Sequence, residues 1–521
     1  MATLALTNGR IWTGDGFAAS ILIEGNRIAA VDSPIPPHAR VIDLRGRLAL
    51  PGFIDNHVHF VNGGLQLSRV QLRDAKSAGE FVTRIAAHVA NGWILGGGWD
   101  EQRWSPYTLP TRQMIDDATR SNPAFLHRSD MHMAIANTRA LQLAGITRDT
   151  PDPAGGTIVR DANGEPTGLL KDAAMALISA IIPPPSIDER IAAARAALRE
   201  AARFGVTSFC DMGMNPEAFD DFRAYQRLAR AGELTARVSL FIPIGSYERL
   251  QNAGVEKRFG NERLRIGGLK GFADGSLGSS TAAMREPFSD EHHCGLVMRE
   301  MADGTMTKWV ADADAHELQI AIHAIGDGAN ADVLSIFESR PDTRARRFRI
   351  EHAQHLDPSL IERFARSGVI ASMQPYHAID DGRWAETRIG RERAKTAYAF
   401  RSLLDAGATV TFGSDWTVAP LNPLLGIHAA VARPWVPEQN ITVEEALRCY
   451  TINNAYAMFA EHEIGRIAPG MLADVVVLSE DIFTVAPERI ADLQVEMTMI
   501  DGEIVYPPAI TSSSSTNSLS V

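Results

Sequence analysis

The chain has 521 residues, 45% hydrophobic and 22% charged, which excludes dominant disorder and predicts more than one ordinary domain. Its formal charge of −12, from 51 basic and 63 acidic side chains, repels phosphate backbones and anionic lipid and argues against nucleic acid as a partner. The three cysteines, Cys210, Cys294 and Cys449, are far apart in no disulfide or metal spacing, which suits a reducing, cytoplasmic setting.

The first residues, MATLALTNGRIWTGDG, lack a basic start and a long apolar run and read as a strand, not a signal peptide. No uncharged apolar run reaches the roughly 18 residues of a membrane span. Residues 3–50 alternate apolar and polar positions between turns, as in ILIEGNRIAAVD and ARVIDLRGRLAL. Residues 464–507 do the same in ADVVVLS and EMTMIDGEIVYP, so both ends are predicted strands. Neither end has enough strands for a stable sheet. The economical reading pairs 1–50 with 464–510 in one composite β-domain and makes 51–463 an insertion within it.

Eight segments of that insertion are apolar runs closed by polar or small residues: 52–59, 205–213, 237–244, 266–275, 318–327, 348–356, 369–376 and 409–416. Helical runs such as 189–204 and 306–319 lie between them, and strands alternating with helices predict a closed (β/α)₈ barrel. The stretch 65–180 is too long for a loop and is read as an insertion capping the substrate. The tail TSSSSTNSLSV, 511–521, is predicted to be disordered.

Active groups of such a barrel sit at the carboxyl ends of its strands. The first strand closes with His57 and His59, two apart and therefore on one face, where both imidazoles can reach one metal ion. In isolation such a pair is equally at home in a core. The fourth strand sets Lys270 among glycines and apolar residues, GGLKGFADG. Burial lowers a lysine pKa, and the neutral amine reacts with CO₂ to give a carbamate that can bridge two ions. An ion pair with Asp274 or another acid is the alternative. The fifth, sixth and eighth strands supply His323, His352 and Asp415, so six candidate ligands end five strands.

PGFIDNHVHF, the lysine strand, HAIGD, RIEHAQH and GSDW, in this order, resemble the amidohydrolase superfamily of metal-dependent hydrolases. The longer strings GGGWDEQRW, HMAIANTRAL, LKGFADGSLGSSTAAM, HAIGDGAN and FGSDW are similar to its YtcJ-like (amidohydrolase-3) branch. The resemblance implies an α/β fold: a TIM-like (β/α)₈ barrel, a composite β-sandwich from the two termini and a large insertion after the first barrel strand. It implies that His57, His59 and Asp415 hold the more buried ion, that His323 and His352 hold a second, and that carboxylated Lys270 bridges them. One or two ions are expected, and the donors suit Zn²⁺ without excluding manganese, iron or cobalt. His355 competes with His352 but falls on the opposite side of a continuing strand. His132, Trp99, Asp100, Gln374 and His377 are candidates for substrate contact, each also explicable as packing, capping or hydrogen bonding. Asp327 is read as support for the His323 loop. Relatives carry an acidic residue near Lys171 or Asp172, and neither is given a role.

The function implied is hydrolysis of an amide-type carbon–nitrogen bond, N-acyl or N-formyl, in a small molecule by a metal-bound hydroxide, with Asp415 as the proton carrier. Hydrolysis of an ester, carbamate or cyclic amide, or a lyase or decarboxylase reaction on the same scaffold, are the alternatives. A non-catalytic binding protein would have lost ligands, and all six are present. A homodimer stays open.

Overall fold

Eight strands form one all-parallel sheet in chain order: β1 (Phe53–Val58), β2 (Val206–Met212), β3 (Arg237–Pro243), β4 (Leu264–Phe272), β5 (Ile320–Ala324), β6 (Arg349–His352), β7 (Ile370–Met373) and β8 (Val410–Phe412). The computed structural model describes residues 3–88, 92–128, 133–153, 155–214 and 218–507, and the tail 511–521 lies outside them. The strands are buried almost throughout, which is why they read as near-continuous apolar runs. Just past the strand ends β8 meets β1, where Asp415 N–H donates to the His57 carbonyl and His59 N–H to the Trp416 carbonyl, each at 2.7 Å. Each strand coincides with an expected segment, so the predicted (β/α)₈ barrel is the observed architecture.

Helix punctuation follows local chemistry. After β6, Asp357 caps the helix Pro358–Ser367 through Ser359 N–H, Pro358 occupies its first turn, and Gly368 ends it at φ 72°. Its buried stripe is Leu360, Ile361 and Phe364. The runs read at 189–204 and 306–319 are the helices Ile187–Arg203 and Thr305–Ala315. No helix among the described residues is long and apolar enough to cross a membrane.

The chain divides into two compact units, 1–60 with 197–521, and 61–196. The first unit holds the barrel and two further sheets. One orders Arg27–Val31, Ile21–Glu24, Thr3–Thr7 and Arg40–Asp43. The other joins the termini: Leu48–Pro51 runs antiparallel to Val475–Leu478, with Leu50 opposite Val476. Leu6, Ile11, Ile23, Val475, Val477 and Met499 form the shared core of this composite sandwich. Arg237, at the foot of β3, ties barrel to sandwich through both oxygens of Asp474 at 2.7 Å.

The second unit has its own mixed sheet of six strands. Its strand Ile94–Trp99 contains Gly96 and Gly97, both at φ 138°. A Cβ on either would lie 2.3 Å from the Val70 carbonyl oxygen or 2.1 Å from that of His127, so the glycines allow neighbouring backbones to touch.

Candidate active site

His57 and His59 leave the end of β1 on one side, their rings 5.7 Å apart and nearly perpendicular. The turn after β8 brings Asp415 to them. Its approach needs Gly413, where a Cβ would lie 2.6 Å from the His57 nitrogen and 2.8 Å from Asp55 Oδ1. Asp415 sits at φ 55°, a left-handed conformation that aspartate and asparagine tolerate better than most side chains. Its Oδ1 lies 3.4 Å from His59 Nε2 and 3.7 Å from His57 Nε2, and its Oδ2 lies 3.9 Å from His377 Nε2. Burial alone would raise the Asp415 pKa, but the surrounding imidazoles, His57 first, hold it well below the usual carboxylate range.

Lys270, on β4, lines the same cavity and is 2% exposed. Burial lowers its pKa to about 8 against the pull of Glu351 and Asp415. Asp274 is no partner for it. That carboxylate accepts the amides of Ala283, Ile325 and Gly326 at 2.8–3.0 Å and so fastens the loop after β5. Asp327 supports the same loop, accepting from the amides of Arg285 and Gly328. The His323 ring is 4.5 Å from that of His352, and its Nε2–H donates to the Gly275 carbonyl at 3.0 Å, which leaves Nδ1 for an ion. His352 ends β6 at φ 74°, and burial with the neighbouring His323 and His57 holds its pKa far below normal. His355 packs against Tyr398 beside Gln354 and joins no ligand group among the described residues.

Beneath the imidazoles the barrel carries charge, a feature the sequence reading missed. Glu351 is fully buried and accepts from His57 Nδ1–H at 2.6 Å and from Ser372 Oγ–H and Arg349 Nε–H at 2.8 Å each. Arg349 also donates to the Asn56 side-chain oxygen at 3.1 Å and to its carbonyl at 2.8 Å. Burial would raise the Glu351 pKa, but Arg349, His57 and Lys270 keep it below the ordinary range. The contact puts the His57 proton on Nδ1 and presents Nε2 to an ion. A signal existed: RIEH sets opposite charges two apart on one face of an otherwise buried strand.

Gln374 does the same for His352, its Oε1 accepting from Nδ1–H at 2.7 Å. Expected to touch substrate, it is 1% exposed, and its oxygen is taken up by His352. Gln374→Leu is expected to weaken metal binding about 10–100-fold in chelator competition, with circular dichroism unchanged.

His377, also expected to contact substrate, lines the cavity and could hold an ion together with His352 and Asp415; His57, His59 and Asp415 form the other candidate group. Trp99 and Asp100 both belong to unit 61–196. The Trp99 ring is fully buried in the core of unit 61–196 beside Phe81 and Trp104, its indole N–H on the Leu126 carbonyl at 2.9 Å. Asp100 caps the turn Glu101–Arg103 and pairs with Arg128 at 3.1 Å. His132 lies outside the described residues.

The donors fit divalent cations. Tetrahedral bonds of about 2.0–2.2 Å place ligand atoms about 3.3–3.6 Å apart. The separations of 3.4, 3.7 and 3.9 Å around Asp415 are close to this. Lys270 Nζ, Asp415 Oδ1 and His377 Nε2 are buried with no hydrogen-bond partner among the described residues. Such atoms are costly to bury unless an ion, or for the lysine a carboxyl group, completes them.

Residues 40–506 match the amidohydrolase family. The chain is 39% identical to Protein LONG AFTER FAR-RED 3 of Arabidopsis thaliana over 97% of its own length and 92% of the relative's. It is 35% identical to YtcJ of Bacillus subtilis (strain 168), provisionally named an amidohydrolase, over 95% of this chain and 99% of that one. N-substituted formamide deformylase of Arthrobacter pascens is 28% identical over 97% of this chain and 98% of its own. The solved structure of an uncharacterized metal-dependent hydrolase from Pyrococcus furiosus matches with a TM-score of 0.79 at 28% identity, covering 93% of this chain and 100% of that one.

Proposed function

The chain belongs to the amidohydrolase family, and from that premise we propose that it hydrolyses the carbon–nitrogen bond of a small amide-type compound, an N-acyl or N-formyl amine. The observation that carries this reading is Asp415, which turns one carboxylate oxygen to the His57–His59 pair and the other to His377 in the group with His352. The relative named for deformylating N-substituted formamides supports a carbon–nitrogen bond over an ester.

A divalent ion held here, zinc being the best match to the donor set, would lower the pKa of water from about 15.7 towards about 7 and polarise a carbonyl. The chain's own residues do the rest. His57, His59, His352, His377 and Asp415 would hold the ions, with His323 contributing through Nδ1 and carboxylated Lys270 as a bridge. The lowered pKa of Lys270 supports that modification, because only the neutral amine takes up CO₂. Asp415 accepts the proton of the attacking water and delivers it to the leaving nitrogen, a service typically worth about 10²–10⁴ in rate. Glu351 and Gln374 keep two imidazoles turned towards the reacting atoms. The three cysteines, all unpaired, support a reducing, cytoplasmic setting.

The test strips the purified protein with a chelator, restores Zn²⁺, Mn²⁺ or Co²⁺, and screens N-formyl, N-acyl and cyclic amides. Equimolar amine and acid should appear, vanish on chelation and return with metal. CO₂ release without water incorporation, or turnover indifferent to chelation, overturns the reading.

A further inference from the structure

The segment after β7 turns one helical face towards the cavity. α1 (His377–Asp381) and the turn behind it carry His377, Asp380, Asp381 and Trp384, and all four line the cavity of about 400 Å³ that contains Asp415. His377, Asp380 and Asp381, at i, i+3 and i+4, share one face of α1, and Trp384 follows in the turn. A helix that only packs would place apolar residues on that stripe. This one presents an imidazole and two carboxylates, and the turn behind it adds the Trp384 indole.

Asp381 is the decisive group. Tyr398 Oη–H and Gln354 Nε2–H both donate to its Oδ2, at 2.6 Å each. Both donors are neutral, and no hydrogen bond reaches Oδ1 and no lysine or arginine pairs with Asp381 among the described residues. Its ionisable neighbours are His377 and Asp380, and burial raises its pKa. Asp380 pairs with Arg383 at 3.6 Å and is half exposed. A carboxylate held rigidly by neutral donors, with one oxygen open in a cavity, lacks only a cation. Trp384 adds an aromatic surface that attracts the same charge. Met214, Phe272 and Leu277 give the cavity an apolar wall along which an alkyl chain can lie.

We propose that Asp381 and Trp384 form the specificity subsite and bind an ammonium or guanidinium group of the substrate, whose scissile carbonyl lies at the Asp415 end. The proposal rests on the hydrolase reading above and gives its substrate class: an N-acyl or N-formyl compound with a cationic group a short alkyl chain from the amide.

The test uses the metal-loaded protein at fixed ionic strength. By titration calorimetry, butylammonium chloride is expected to bind at least about tenfold more tightly than 1-butanol. Asp381→Asn keeps an acceptor for Tyr398 and Gln354 and should erase that preference; Trp384→Leu should reduce it and serves as the second variant if the first does not fold. With amides matched in length and ending in ammonium, methyl or carboxylate, kcat/KM should fall in that order, chiefly through KM. A purely structural Asp381 predicts lower stability and no charge preference. Equal binding of the two probes, or a preference that survives both substitutions, overturns the proposal. Amides hydrolysed without regard to charge sink the subsite and leave the hydrolase standing. Butylammonium bound through Asp381 with no amide hydrolysed sinks the hydrolase reading and leaves the subsite standing.

Discussion

Replacing Asp415 by asparagine is expected to reduce turnover by about 10²–10⁴-fold or more, while far-ultraviolet circular dichroism and the melting temperature stay near those of the parent. Asparagine is the informative substitute because the backbone there is left-handed, at φ 55°, and an alanine would add strain to the loss of chemistry. It keeps the size of the side chain and one oxygen, yet removes the charge that His57, His59, His352 and His377 surround. The metal content of the variant separates two causes of inactivity. Retained metal with lost turnover places the defect in proton transfer; lost metal places it in the ligand role. Turnover near that of the parent would remove Asp415 from the mechanism altogether.

The second large effect is on stability. Arg349→Met is expected to cost about 3–5 kcal/mol, because it strands the Glu351 carboxylate as an unpaired charge in the barrel interior. Both side chains are 0% exposed, so water cannot substitute. The loss should appear as an earlier urea midpoint. Arg349→Met combined with Glu351→Leu removes both charges and is expected to recover most of the stability. It should not recover metal affinity, since His57 would lack the acceptor on Nδ1. A single variant as stable as the parent would show that His57 and Ser372 alone satisfy Glu351.

The barrel was legible because its strands are buried and end abruptly in polar residues, a pattern that the order of residues displays. His57 and His59 were legible for a related reason: strand periodicity puts residues two apart on one side. What escaped depends on contacts distant in sequence. His352 turns through φ 74° and is oriented by Gln374, and His323 gives Nε2 to Gly275, neither of which strand alternation encodes. His377 lies past the end of β7, so its direction is set by the first turn of α1 and not by the strand. Trp99 reads as a candidate for substrate contact beside three glycines, but Gly96 and Gly97 serve close backbone contact, and the indole lies in the core of unit 61–196. The insertion was visible as a misfit in the repeat, whereas its internal mixed sheet was not, since short strands of both directions leave no period to read.

The seam between Leu50 and Val476 bears on how the protein is made. At about 5–20 residues per second, the first of these emerges from the ribosome roughly 20–85 s before the second. Throughout that interval an apolar strand edge waits while the whole barrel is translated. Nascent chains of this design invite holding chaperones, and a premature stop codon upstream of Val475 would release a product with an open, adhesive edge.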